Sequence, residues 1–352
     1  MHATYAGAVD PRPHPTVTVL DAARWRARAD AHAARADELT AGHRARRSRH
    51  EKHAIEDFLF EYYPATPGQL RRWHPGAGVA LAPEPDGPAP QGAWRWYRTD
   101  DDGTVCLDLA AFLDARGDTV RFVTGLLDAT ASRPAATGCF GLHEWAMVYR
   151  EPDGEHRHSL PLRLGGAGTD AVVEGHRIRC THVDAFRFFT PEAVGRNTLV
   201  PTRETQTAME QPGCLHANMD LLDGITGTSE APEPPPLTRE TQMLYEQPGC
   251  LHAAMDCYKW ALKLGPLVPG DLLLDCFELA IEIRYTDMRA SPYDVSPYGL
   301  EPIKIETAEG KHEYVRRQRD YADRSNDLRA RLSAQCAAAR SAPTSASPSP
   351  TK

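Results

Sequence analysis

The chain has 352 residues, enough for one large core or two smaller ones, and its 41% hydrophobic and 25% charged residues are ordinary for a soluble globular protein. Its 48 acidic against 40 basic side chains leave a formal charge of −8, which argues against a whole-surface electrostatic grip on nucleic acid. No run reaches the ~18 to 20 apolar residues that span a bilayer, so no membrane partner is expected.

The first residues, MHATYAGAVDPRPHP, have neither a charged start nor an apolar run, and so do not read as a secretory signal. Eight cysteines without CxxC spacing fit reduced thiols rather than a disulfide framework or a zinc ribbon. The expected location is cytoplasmic.

Residues 1–18 read as disordered or loosely attached. Asp21 is placed to cap a long Ala- and Arg-rich helix running towards His50. In HEKHAIEDFLFEYY, the positions of Ile55, Phe58, Leu59 and Tyr62 predict a helix with one apolar face. His53, Glu56 and Asp57 would then project from one side. A short helix around Leu70 to Trp73 leads into HPGAGVAL, and a proline-rich loop follows over 82–90. Ala93 to Tyr97 reads as a strand, and Asp100 to Gly103 as a turn into Val105 and Leu107. Two helices are expected over 107–115 and 119–129.

Polar chemistry concentrates in the middle of the chain. GCFGLHEWAMVYR (138–150) sets His143 and Glu144 inside an aromatic and apolar run, and HRIRCTHVDAFRFF (176–189) does the same for His182 and Asp184. Between them HRHSLPLRLG predicts a strand, with a short helix over 170–174.

One stretch then occurs twice. TRETQTAMEQPGCLHANMD (202–220) and TRETQMLYEQPGCLHAAMD (238–256) agree at fifteen of nineteen positions. They belong to a tandem duplication, 202–237 and 238–273, with a Pro-rich linker at 224–237. Two copies make no solenoid, and only one can occupy the original place in the fold. A helix starting after the Pro-Gly would put His216 with Asp220, and His252 with Asp256, on one face.

Beyond the second copy the chain is strongly helical. Leu272 to Ile283 is apolar nearly all round, except for a carboxylate stripe at Asp271, Asp275, Glu278 and Glu282. That stripe reads either as a solvent-facing strip or as the lining of a site. DMRASPYDVSPYG reads as a loop carrying Asp287, Arg289 and Asp294. A last helix over 308–338 precedes a tail, 339–352, expected to be disordered.

GxxxxGK[ST], strand-linked GxGxxG and GxSxG are missing, and HEKH is too tightly spaced for the zinc pair HExxH. What remains is a set of histidine–carboxylate pairings. The candidate catalytic residues are His143, Glu144, His182, Asp184, His252 and Asp256, with His216 and Asp220 as the duplicate pair. The candidate metal ligands are His53, Glu56, His143, His182 and His252, a donor set suited to zinc or non-haem iron. Adjacent residues point apart on a helix or a strand, so at most one of His143 and Glu144 is expected to ligate. Arg150, Arg163, Arg179 and Arg187 lie in apolar segments and should pair with acids or grip an anionic substrate, with Trp145 beside it.

KHAIEDFLFEYY, LRRWHPGAGVAL, GCFGLHEWAMVYR, RCTHVDAFRFF, EQPGCLHANMD with YKWALKLGP, and DMRASPYD together resemble a bacterial, largely actinobacterial family labelled 3-methyladenine DNA glycosylase. The resemblance covers roughly residues 45–335 and implies hydrolysis of the N-glycosidic bond of alkylated purines in DNA. It carries no assigned catalytic residues. His74-Pro75-Gly76-Ala77-Gly78 resembles a helix-hairpin-helix turn, but Pro83, Pro85, Pro88 and Pro90 oppose a second helix after it. The expected function is an enzyme, a DNA-repair glycosylase as the resemblance implies, with a metal-dependent enzyme for a small anionic substrate as the alternative that the local chemistry favours and a non-catalytic binding protein as the second alternative. The expected fold is α+β and mainly α, a single domain over 19–338 with a few short central strands.

Overall fold

A computed structural model describes residues 17–63, 65–135, 137–152, 158–180, 183–198 and 249–341, with 183 and 184 described by their backbone alone. The architecture is mainly helical with one small sheet, as the α+β reading expects. Both 202–220 with His216 and Asp220, and the Pro-rich linker at 224–237, lie outside the described residues, as does His182.

The chain enters through strand β1 (Thr18–Leu20), so order begins before residue 19. Asp21 then accepts the amide of Arg24 and opens helix α1 (Ala22–Ser48), satisfying one of the amides a helix start leaves unpaired. The predicted helix around Phe58 shrinks to one turn, α2 (Phe58–Glu61). The carboxylate of Asp57 instead accepts the amide of His53 at 2.8 Å and closes a local turn. Helix α3 (Pro67–Leu70) carries a full capping box between Thr66 and Gln69.

Strands β2 (Val79–Leu81), β3 (Tyr97–Thr99) and β4 (Val105–Leu107) join β1 in the order β1-β2-β4-β3. β1 runs parallel to β2, with Leu20 opposite Leu81, and the remaining pairs are antiparallel. The expected strand over 93–97 is instead a single 3-10 turn (Pro90–Ala93) followed by β3. After the HPGAG turn the chain passes directly into β2, so no second helix of a hairpin forms there.

Residues 107–131 form one helix, α4 (Leu109–Ala131), rather than two. Gly117 does not break it, because Phe112, Val120, Val123 and Leu127 bury one continuous face, which outweighs the ~1 kcal/mol that a mid-helix glycine costs. Three short helices follow: α5 (Leu142–Ala146), α6 (Gly165–Glu174) and α7 (Val183–Phe186). In the described part of the predicted strand over 156–165, residues 158–165, the pairing is a bridge between Leu162 and Tyr293. Helix α8 (Pro191–Val194) precedes the repeats.

The core is built by helix α9 (Leu251–Leu264), helix α10 (Gly270–Ala290) and helix α11 (Ala308–Ser341), packed with α4. α9 begins one residue after the Pro-Gly-Cys turn of the second repeat copy and is buried on almost every face. Side chains of α11 hold it in place. Gln318 donates to the Gly249 carbonyl at 2.8 Å, and the fully buried Arg329 donates to that of Ala253 at 2.8 Å. Three carboxylates of the α10 stripe are ion-paired. Asp275 receives Arg35 and Arg331, and Glu282 receives Arg324, so the acids clamp α1 and α11 onto α10. A groove of about 490 Å³ lies along these pairs. No helix of the described residues is long and apolar enough to cross a membrane.

Candidate metal centre

Four buried side chains from three helices converge where α5, the start of α9 and the end of α10 meet. His143, Glu144, His252 and Asp287 each offer a donor atom, and these atoms all lie within 4.8 Å of one another. The turn before α5 makes the approach possible. Gly141 sits at φ +76°, and a Cβ there would come within 3.3 Å of the Ala290 side chain and 3.2 Å of the Tyr314 hydroxyl. Trp145 Nε1 then donates to the Ala290 carbonyl at 2.9 Å and pins α5 against the end of α10.

His143 is anchored at one nitrogen. Cys139 Sγ lies 3.2 Å from Nδ1, which directs Nε2 towards the acids. Nε2 stands 3.3 Å from Asp287 Oδ1 and 4.0 Å from Glu144 Oε1. Nε2 and Oδ1 are both buried, yet no hydrogen bond of normal geometry joins them. The His252 ring meets that of His143 edge to face, with centroids 4.5 Å apart.

Arg284, one turn before Asp287, supplies the positive charge. Its Nη1 lies 3.4 Å from Asp287 and 3.5 Å from Glu144, and its Nη2 donates to His158 Nε2 at 3.2 Å. The guanidinium also stacks on Phe58, 4.2 Å from the ring centre. Burial opposes charge on His143, but Cys139 and Asp287 outweigh it and raise the imidazole well above its ordinary range. Burial likewise disfavours the Asp287 carboxylate, and His143, His252 and Arg284 outweigh it and hold the group well below the usual carboxylate range. Chemically, the arrangement can hold a cation or move a proton between a thiol, an imidazole and a carboxylate.

Several expected site residues lie elsewhere. Asp256 does not pair with His252. It is fully buried, accepts the Tyr63 hydroxyl at 2.9 Å and holds Lys259 Nζ at 3.0 Å. Glu56 is taken by Arg46 and by the Tyr285 hydroxyl, and His53 Nδ1 accepts the Glu56 amide at 3.2 Å, so neither belongs to the four-residue centre. Asp184 lies in α7, and its side chain is outside the described residues.

Two of the expected anion-binding arginines are paired with acids. Arg163 forms a two-pronged pair with Glu306 and lies over the Trp145 ring, 5.0 Å away, while Arg150 is exposed and bound to Glu174. Arg179 packs beside Gly138, and the exposed Arg187 lies over Phe188. Trp145 is a core residue with no exposed surface.

Two further corrections concern the centre itself. His143 and Glu144 both reach it, because α5 is a single turn and the long Glu144 side chain curls back to within 4.0 Å of the imidazole. Asp287 belongs to the last turn of α10, not to a loop. The missed signal was Arg284 at i−3, where two opposite charges neutralise one another and let an apolar helix continue.

The chain matches no family model, no curated protein and no solved structure.

Proposed function

We propose that His143, Glu144, His252 and Asp287 hold a divalent transition metal, zinc or iron(II), and that the protein is a metal-dependent enzyme acting on a small anionic substrate. One observation carries the reading: His143 Nε2 and Asp287 Oδ1 oppose each other at 3.3 Å, both buried, with donor atoms of Glu144 and His252 within 4.8 Å. With metal–ligand bonds of about 2.0–2.2 Å, two ligand atoms on one tetrahedral ion stand roughly 3.3–3.6 Å apart. An ion between them would satisfy both atoms at once. Two imidazoles and a carboxylate, with a second carboxylate in reach, form a donor set that suits zinc or non-haem iron and leaves positions for a substrate.

Charge supports the substrate class. Two carboxylates and one guanidinium leave the centre with one negative charge when both imidazoles are neutral. A dication turns that into one positive charge in a buried setting, which favours an anionic ligand. The metal would polarise a substrate oxygen or activate water, while Cys139 and Arg284 orient the ligands.

Metal analysis of the purified protein tests this. About one equivalent of zinc or iron in the wild type, lost on His252→Ala, supports the proposal. Release of 3-methyladenine from alkylated DNA by metal-free protein would instead favour the N-glycosidic activity that the family resemblance implies. Neither result would leave a binding role.

A further inference from the structure

Tyr314 lies near the start of α11 with no exposed surface, and its hydroxyl has no hydrogen-bond partner among the described residues. A buried phenol normally finds a partner, so the exception calls for a physical reason. The oxygen rests against the backbone that opens α5: a Cβ on Gly141 would come within 3.2 Å of it. That glycine is two residues from His143 and three from Glu144. A phenol is protonated at neutral pH and so has a hydrogen to donate.

We propose that the Tyr314 hydroxyl donates a hydrogen bond to an anion bound at the His143–Glu144–His252–Asp287 centre, which makes it a ligand-binding residue of that site. The inference rests on the metal reading above. It accounts for a buried donor at the Gly141 turn that no described group accepts from, since the acceptor would be the ligand itself. The residue at 141 must be glycine for the phenol to come so close.

Cobalt(II) loaded into chelator-treated protein gives visible bands that report on added azide. Wild type, Tyr314→Phe and Tyr258→Phe would be compared. Tyr258 is the control, because its hydroxyl is also buried and unpartnered but its ring packs against Tyr63 and Phe277. The expected result is equal cobalt content in all three, with azide binding weakened roughly tenfold in Tyr314→Phe alone, the loss of one hydrogen bond to a charged group. Equal azide affinity in wild type and Tyr314→Phe overturns the inference, as does azide that leaves the wild-type bands unmoved. A folded Tyr314→Phe protein that takes up no cobalt would make the residue structural and overturn it too. Failure of the wild type to take up cobalt removes the metal reading, and this inference with it.

Discussion

The Arg284 guanidinium lies within 3.5 Å of both carboxylates of the buried centre, 3.4 Å from Asp287 and 3.5 Å from Glu144. These separations exceed the 2.7–2.9 Å of a good charge-assisted hydrogen bond, so the arginine balances charge rather than saturating either acid. Replacing it with methionine keeps the apolar stem and leaves two buried carboxylates facing each other. The metal-free Arg284→Met protein is expected to lose about 3–5 kcal/mol in denaturant titrations. Added zinc should raise its Tm more than it raises that of the wild type. An unchanged metal-free stability would show that the guanidinium does not carry this charge.

Asp256 provides the contrasting case on the same stretch of sequence. Its partners are Tyr63 and Lys259, the lysine side chain being only 11% exposed. Asp256→Asn removes one charge of that pair and should cost about 1–3 kcal/mol, because Tyr63 can still donate to the amide oxygen. Metal content should stay at the wild-type level. If Asp256→Asn lost metal as His252→Ala does, the assignment of Asp256 to a separate network would be wrong.

Arg163 is expected to be a packing residue. Arg163→Met should lower Tm by a few degrees, since it breaks the pair with Glu306 and the stack on Trp145 while retaining much of the apolar stem. Binding of anions by the metal-loaded protein should not change. A large loss of anion affinity with unchanged Tm would restore the ligand-gripping role.

A pH dependence follows from His74. Its Nδ1 hydrogen-bonds the Tyr97 hydroxyl at 2.9 Å, and burial pushes the imidazole down to about 4. The unfolded chain, with a histidine near 6.5, binds more protons than the folded one between these values, so stability falls as pH drops from about 6.5 to about 4. At about 1.4 kcal/mol per unit the loss is at most about 3 kcal/mol, and less in so far as solvent reaches the ring. Denaturant midpoints across this range for wild type and His74→Phe would check it; parallel curves would contradict it.

Much of this fold is written locally. Asp21 announces α1, and the Pro-Gly turn announces α9, because capping and turn chemistry act over a few residues. The single helix α4 was hidden because Gly117 resembles a break, and only the tertiary burial of Val120 and Val123 overrides it. Of the centre, His143 and Glu144 stand out as polar residues in an apolar run, and His252 through the duplicated stretch. Asp287 does not, since the apolar helical pattern ends at Ile283 unless Arg284 and Asp287 are taken as a mutually neutralising pair. The partners of Asp256 and Arg163 were illegible for another reason. Tyr63 is 193 positions from Asp256 and Glu306 is 143 from Arg163, and spacing along the chain says nothing about such meetings.

The most direct test is a zinc titration of chelator-stripped protein against a competing chromophoric indicator, with wild type and Asp287→Asn side by side. The account predicts about one tightly bound equivalent in the wild type and none that competes with the indicator in Asp287→Asn, with both proteins folded by circular dichroism. Uptake that is absent from the wild type, or identical in the two proteins, would contradict a metal held between His143 and Asp287.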